Sequence, residues 1–338
     1  MPNERLWYAV ESVNFATLGA TTGYIAAHGV QEAGANVRFN LEQVFELGQA
    51  EIYENVERQP DIELNATKVL DGYPPLYCLA TRGSTSASLN GRSTKRCMIG
   101  FSLYTDTQDS ASGTPVAQVV HSGMYVNSLN WNFNMNGPFT EAVGWIGNDR
   151  NWGAALFTAP TFDNTDTPLA LASSGGVNMR EDLLIGQASG GMSRFPTEVE
   201  GVSSSGYIAV TTGIPAVYLE SIRVSCNLNR QAVYALGKRG ACHRYMTVPT
   251  KVETTIEVQS KQGDNKNCLE ESDNLSNQVI YLACREGTRL DLGSRNKLMS
   301  VQTQLGNAQG GGANVAKTTY SYEGYSLALT HPQDPSGL

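Results

Sequence analysis

Apolar and polar side chains alternate most regularly over residues 127–136. There Leu129, Trp131, Phe133 and Met135 share one side, and Ser128, Asn130, Asn132, Asn134 and Asn136 share the other. Such period-2 alternation marks a strand with one face in a core and the other in water. Residues 221–228 repeat it, with Ile222, Val224, Cys226 and Leu228 opposite Ser221, Arg223, Ser225 and Asn227. Further strands are predicted over 98–104, 116–120, 125–136, 279–284, 298–305 and 318–329. Two stretches, 42–54 and 230–239, read instead as short helices between strands. Residues 151–205, rich in Gly, Ser, Thr, Asn and Pro, read as a linker excursion with 180–185 ordered.

The pattern occurs twice. Asn40-Leu41 leads to Val44-Phe45-Glu46-Leu47-Gly48, and Asn227-Leu228 leads to Val233-Tyr234-Ala235-Leu236-Gly237. From each glycine the chain runs twelve residues to a proline, Pro60 or Pro249. Each proline opens an alternating segment, 62–67 in the first copy and 252–258 in the second, with a one-residue shift. An ordered set of matches at near-constant spacing predicts an internal duplication. The expected division is a first module over 1–150, a linker over 151–205 and a second module over 206–338.

Composition narrows the function. The chain has 338 residues, 17% of them charged, with a net charge of −8 and a pI near 5.1. Gripping nucleic acid needs clustered Lys and Arg, so such a role is disfavoured. Neither a secretory leader nor a roughly 20-residue apolar span is read from the sequence, so no membrane anchor is expected. The six cysteines (78, 97, 226, 242, 268 and 284) contain no Cys-x-x-Cys pair and are expected as free thiols without a metal.

The polar faces carry neutral amides and hydroxyls where solvated sheets usually carry Lys, Glu and Arg. Glu63, Asn65, Thr67, Asn130, Asn132, Asn134, Glu253, Thr255 and Glu257 are therefore candidates for a weakly negative, hydrated channel wall past which DNA slides. The alternative is a face turned to bulk water. Between Asn40 and Pro60, Glu42, Glu46, Glu51, Glu54 and Glu57 outnumber Arg58, a net of −4. Between Asn227 and Pro249 lie Arg230, Lys238, Arg239 and Arg244 with no acid, a net of +4. Equivalent elements of opposite sign either meet across a subunit boundary or are independently solvated.

Signals for catalysis are weak. Gly311 to Thr318 nearly spells a phosphate-binding loop, but Ala316 replaces the second glycine and a strand-like run follows where a helix is required. His28, His121, His243 and His331 are scattered, and His243 beside Cys242 would point to the opposite face of a strand. Glu270, Glu271 and Asp273, or Asp163 and Asp166, read as solvated loop acids, and the latter lack the rest of a calcium loop. Asn65-Ala66-Thr67 fits a glycosylation pattern without a secretory context. Neither catalysis nor a cofactor is expected.

Three segments carry a resemblance. These are 219–258 with its runs LESIRVSCNLNR, YALGKR and VPTKVETTIEV, 127–141 with NSLNWNFNMNGPFTE, and the end of the chain from Gly310 to Pro332. Together, over about half the chain, they resemble tail tube proteins of tailed bacteriophages. The resemblance implies a mainly β fold of two tandem β-sandwich or half-barrel modules, each with a short flanking helix, closing into a ring-wide β-barrel. It implies a virion protein, assembled in the host cytoplasm, whose rings stack head-to-tail into a conduit for genome DNA. Most of the family carries one module and forms hexamers; two modules imply a trimer of pseudo-hexameric symmetry, with the hexamer left open. Implied partners are a tape-measure protein, a tail terminator and baseplate or tail-tip proteins, with a sheath left open. Another tail ring, a distal tail or tail-completion protein, and a β-rich carbohydrate-binding module are the alternatives.

Overall fold

The computed structural model describes residues 8–105, 111, 113–160, 176–186, 191–211, 214–238, 240–259, 266, 269, 275–304 and 316–337. Six strands come first: β1 (Tyr8–Thr17), β2 (Ile25–Ala26), β3 (Val30–Arg38), β4 (Leu41–Phe45), β5 (Ile52–Glu57) and β6 (Asp61–Val69). Two short helices follow, α1 (Leu76–Ala80) and α2 (Leu89–Arg92), then β7 (Cys97–Thr105), β8 (Ala117–Asn134), β9 (Thr140–Gly147) and β10 (Asp149–Gly153). A 3-10 turn at Arg180–Asp182 precedes β11 (Val210–Thr211), β12 (Ile214–Pro215), β13 (Tyr218–Asn227), β14 (Gln231–Val233), β15 (His243–Tyr245) and β16 (Val252–Gln259). The chain ends through β17 (Tyr281–Ala283), β18 (Arg289–Asp291), β19 (Lys297–Gln304), β20 (Lys317–Gly324) and β21 (Ala328–Thr330). The fold is mainly β and antiparallel.

The main sheet has the order β3-β6-β9-β8-β13-β16-β20-β19. Its first four strands and its last four repeat one pairing scheme, and the repeat extends to the irregularities. A bulge between Val30 and Glu32 against β6 recurs between Leu219 and Ser221 against β16. A bulge between Val126 and Ser128 against β9 recurs between Leu298 and Ser300 against β20. A bulge adds one residue and bends its strand, so bulges at matching places give both units the same twist. The two units join where β8 pairs with β13, from Ser221 opposite Asn134 to Asn227 opposite Ser128.

Strand β8 is long because it serves two sheets. Its first part pairs with β7 and β10, and its second with β9 and β13. The change of direction falls at Gly123, whose φ of +65° would strain any side chain. Beneath the main sheet, inward side chains such as Leu64, Trp131, Val224, Ile256 and Tyr320 form one core with Phe15 of β1, Ile99 of β7 and Leu76 to Ala80 of α1. The small sheet β17-β18-β21 completes it through Leu282, Leu290 and Leu329.

One expectation is corrected. The expected helices over 42–54 and 230–239 are not formed: 42–54 and the described 230–238 belong to the hairpins β4–β5 and β14–β15. Glu, Leu and Gln favour a helix locally, but Val44, Phe45, Ile52, Tyr53 and Val56 favour strands, and Gly48 (φ +100°) and Gly237 (φ +77°) sit in the turns. Helices α1 and α2 lie in the first half, and in the second half Leu269 is helical, with its neighbours outside the described residues. Within one chain the sheet stays open: among the described residues β3 pairs only with β6, and β19 only with β20.

Trp131 is fully buried and meets the Tyr77 ring edge-on at 6.5 Å. Trp131→Ala should destabilise the fold by about 3–5 kcal/mol in urea unfolding. Gly123→Ala, made where φ is positive, should cost about 1 kcal/mol or more, and a loss below half of that would remove the strained-bend account.

Candidate functional site

Residues opposite one another in an antiparallel pair point to the same side, so the register assigns every strand's faces. One row crosses all eight strands: Glu32, Thr67, Ala142, Asn130, Ser225, Glu253, Glu323 and Lys297. Glu63, Asn65, Thr67, Asn130, Asn132, Asn134, Glu253, Thr255 and Glu257 are thereby brought onto a single face. Its centre is a hollow of about 650 Å³ lined by Asn65, Thr67, Ser128, Asn130, Ser225 and Asn227 among others. The structure places these side chains together, half-buried or exposed, on the side away from the core.

On this face Lys251 bonds Glu323 at 3.0 Å, and Arg38 approaches Glu63 at 3.6 Å. Lys317 contacts Glu220 and lies 3.9 Å from Glu257, which also accepts a 3.0 Å bond from Ser221. Amides, hydroxyls and these ion pairs make the surface hydrated.

The two hairpins share a register. Glu42 faces Val56, Gln43 faces Asn55 and Val44 faces Glu54, as Gln231 faces Tyr245, Ala232 faces Arg244 and Val233 faces His243. Glu46, Glu51, Glu54 and Glu57 are all exposed on or beside β4–β5. That hairpin also exposes Phe39 (75%), Leu41 (59%), Phe45 (64%) and Tyr53 (63%). A two-stranded ribbon wet on both sides is marginal by itself, and this apolar load is large for a solvated element.

On the other hairpin Lys238 is exposed, and Arg239 lies outside the described residues. Arg230 and Arg244 are both engaged within the chain. Arg230 donates from Nε to the Val126 carbonyl at 2.6 Å, contacts the Ser93 carbonyl and lies over the Tyr125 ring. Arg244, 4% exposed, bonds Asp61 at 2.8 Å and Asn148 at 3.2 Å. With the Tyr125–His243 hydrogen bond of 3.0 Å, these contacts dock β14–β15 onto the end of the first unit.

No family model matches the chain, and no curated protein matches it. Part of it is similar to a solved structure described as "Cryo-EM structure of the anti-feeding prophage (AFP) baseplate, 6-fold symmetrised". The identity is 14% and the TM-score 0.34, covering 46% of this chain and 99% of that one. That score is too low to establish a shared fold.

The remaining chemical candidates stay apart. Lys317 and Thr318 lie on β20, and Gly311 to Val315 fall outside the described residues, as do Asp163, Asp166, Glu270, Glu271, Asp273 and Cys268. Cys78, Cys97, Cys226 and Cys284 are buried and unbridged, with burial pushing the Cys226 thiol up to about 12, and Cys242 is an exposed thiol. No described helix is long and apolar enough to cross a membrane.

Sequence reasoning missed a buried ionic group under the first unit. Lys68 continues the inward series Ile62, Leu64, Ala66 and lies across from Glu141, with Asp71 bonded to its Nζ at 2.5 Å. Glu141 accepts from the Leu76 and Tyr77 amides at the start of α1. Arg92 meets Asp334 at 2.5 Å, and His331 lies 3.7 Å from Glu286. A lysine at the inward position of an otherwise apolar alternation was the available signal. Loss of water raises the Glu141 carboxyl to about 7 and lowers His121 and His331 to about 4.

These shifts oppose one another. Between pH 6.5 and about 4, an unfolded histidine takes a proton that its folded counterpart refuses, so acid favours unfolding. Between about 4.5 and 7, folded Glu141 holds a proton that the unfolded carboxyl releases, so its contribution falls as pH rises. Loss of water raises Glu286 as well, so two acids oppose two histidines, and the contribution of His121 is read from a variant. Relative to the parent chain, His121→Phe should shift the change in urea midpoint between pH 6.5 and 4.5 toward greater stability in acid, and an unchanged pH dependence would discount His121.

Proposed function

We propose that this chain is a non-catalytic structural subunit that assembles into stacked hollow rings, the tail tube of a tailed phage. The observation that carries the reading is the duplicated sheet with two open ends. Among the described residues, strand β13 is covered by β8, while its counterpart β3 is uncovered; β8 is covered by β13, while its counterpart β19 is uncovered. Uncovered edges offer a row of N–H and C=O groups to another strand. One end of each chain is thus the kind of edge the other end is built to accept. A heterologous contact of this sort generates a ring when its rotation closes.

The polar face supports the conduit reading. In a closed ring it becomes the inner wall, a layer of Asn, Ser and Thr with paired charges that holds water and offers phosphate no cluster of cations to bind. Two units per chain favour three chains per ring. Rings stacked through their exposed ends need other proteins to set length and to close each end. Tape-measure, terminator and baseplate or tail-tip proteins would fill those roles in the virion tail, with genome DNA passing through unbound.

Electron microscopy of the purified protein tests this. Hollow rods with three chains per ring are expected. Single rings that never stack would favour a distal tail or tail-completion component, and a monomer at every concentration would overturn the assembly reading. Duplex DNA should show no gel shift at physiological salt.

A further inference from the structure

The internal junction also specifies the contact between copies, at the level of residues. This inference rests on the ring reading above and deepens it by naming the partner surface, a second copy of this chain. The shared bulges fix the equivalences. Val126, Ser128 and Leu129 of β8 correspond to Leu298, Ser300 and Val301 of β19. Leu219, Ser221 and Cys226 of β13 correspond to Val30, Glu32 and Val37 of β3. Inside the chain Cys226 pairs with Leu129, Ser225 with Asn130 and Val224 with Trp131.

We infer that β19 of one chain pairs antiparallel with β3 of the next, Val37 opposite Val301, Asn36 opposite Gln302 and Ala35 opposite Thr303. In this register Val37 and Val301 turn toward the core side and Asn36 and Gln302 join the polar face, as their counterparts do in the internal junction. Both strands are exposed along the segment except for half-buried Val37 and Val301. Those two are the positions at which the register puts an apolar side chain against an apolar partner.

The hairpins supply a second, independent match. Within the chain, His243 of β15 bonds Tyr125 of β8. The equivalent of His243 is Glu54, because Val44 faces Glu54 as Val233 faces His243. The equivalent of Tyr125 is Lys297, which lies across from Glu323 as Tyr125 does from Ile146. Both Glu54 and Lys297 are exposed, and neither has an ion-pair partner among the described residues. The position filled inside the chain by a Tyr–His hydrogen bond is thus filled between chains by opposite charges, a complementarity the backbone repeat does not require. It places the acidic hairpin β4–β5 on the end of the neighbour's second unit, covering part of its exposed apolar surface.

Cysteine pairs test the register in a Cys242→Ser background, run beside the parent chain. Asn36→Cys with Gln302→Cys should give covalent multimers under mild oxidation, and Arg38→Cys with Gln304→Cys, four positions out of step, should give at least tenfold less. Glu54→Lys should raise the concentration needed for assembly at least tenfold with an unchanged urea midpoint, and adding Lys297→Glu should restore it. Rings without the 36–302 cross-link, or with the 38–304 link dominant, would overturn this junction while leaving the ring reading intact. A failure of the charge exchange to restore assembly would overturn the hairpin contact. A protein that never leaves the monomer would end both.

Discussion

An antiparallel sheet can stop only where its outermost N–H and C=O groups find water or another strand. That constraint organises this chain. Duplicating a four-strand unit and joining the copies edge to edge satisfies one pair of borders internally, through the β8–β13 pairing, and leaves one pair outside. The outer borders are lean: β3 offers Ala33, Gly34, Ala35 and Asn36, and β19 offers Ser300, Gln302, Thr303 and Gln304. By contrast the inner junction brings Trp131, Leu129 and Phe133 against Val224, Cys226 and Ile222. A permanent joint can bury large side chains, whereas an edge that must first stay in solution is better kept small and polar.

The two units share a backbone more closely than they share an interior. Lys68 and Glu141 occupy inward places taken in the second unit by Val258 and Thr318. The first unit needs them because α1 brings its unsatisfied amides to that spot, and the Glu141 carboxylate accepts two of them. Removing one member of such a buried group leaves the others unpaired, so it acts as a fixed strut whose members are sensitive to protonation. The buried ionic groups thereby hold the underside together, while the opposite face carries amides, hydroxyls and ion pairs within reach of water.

How much of this was legible in the sequence depends on the range of the interaction that decides each feature. Alternation over 127–136 and 221–228 identified two strands and their wet faces, since side-chain direction in a strand is a local property. The recurrence of glycine and proline at matched spacing located equivalent elements, because a positive φ at Gly48 and Gly237 is set by the turn itself. The same local reading failed at 42–54 and 230–239. There helix-favouring Glu, Leu and Gln compete with β-branched and aromatic residues, and pairing with the opposite arm of each hairpin settles the contest.

What the sequence alone determined is therefore the repeat, the mainly β character and the membership of the polar face. Only the tertiary structure decided which strands are neighbours, and with that which edges stay open. It also decided that Arg230 and Arg244 are used up in docking one unit onto the other while Glu54 remains outside. Face and turn follow from a few consecutive residues; order across a sheet and the burial of an arginine follow from contacts between segments a hundred residues apart, which no local pattern encodes.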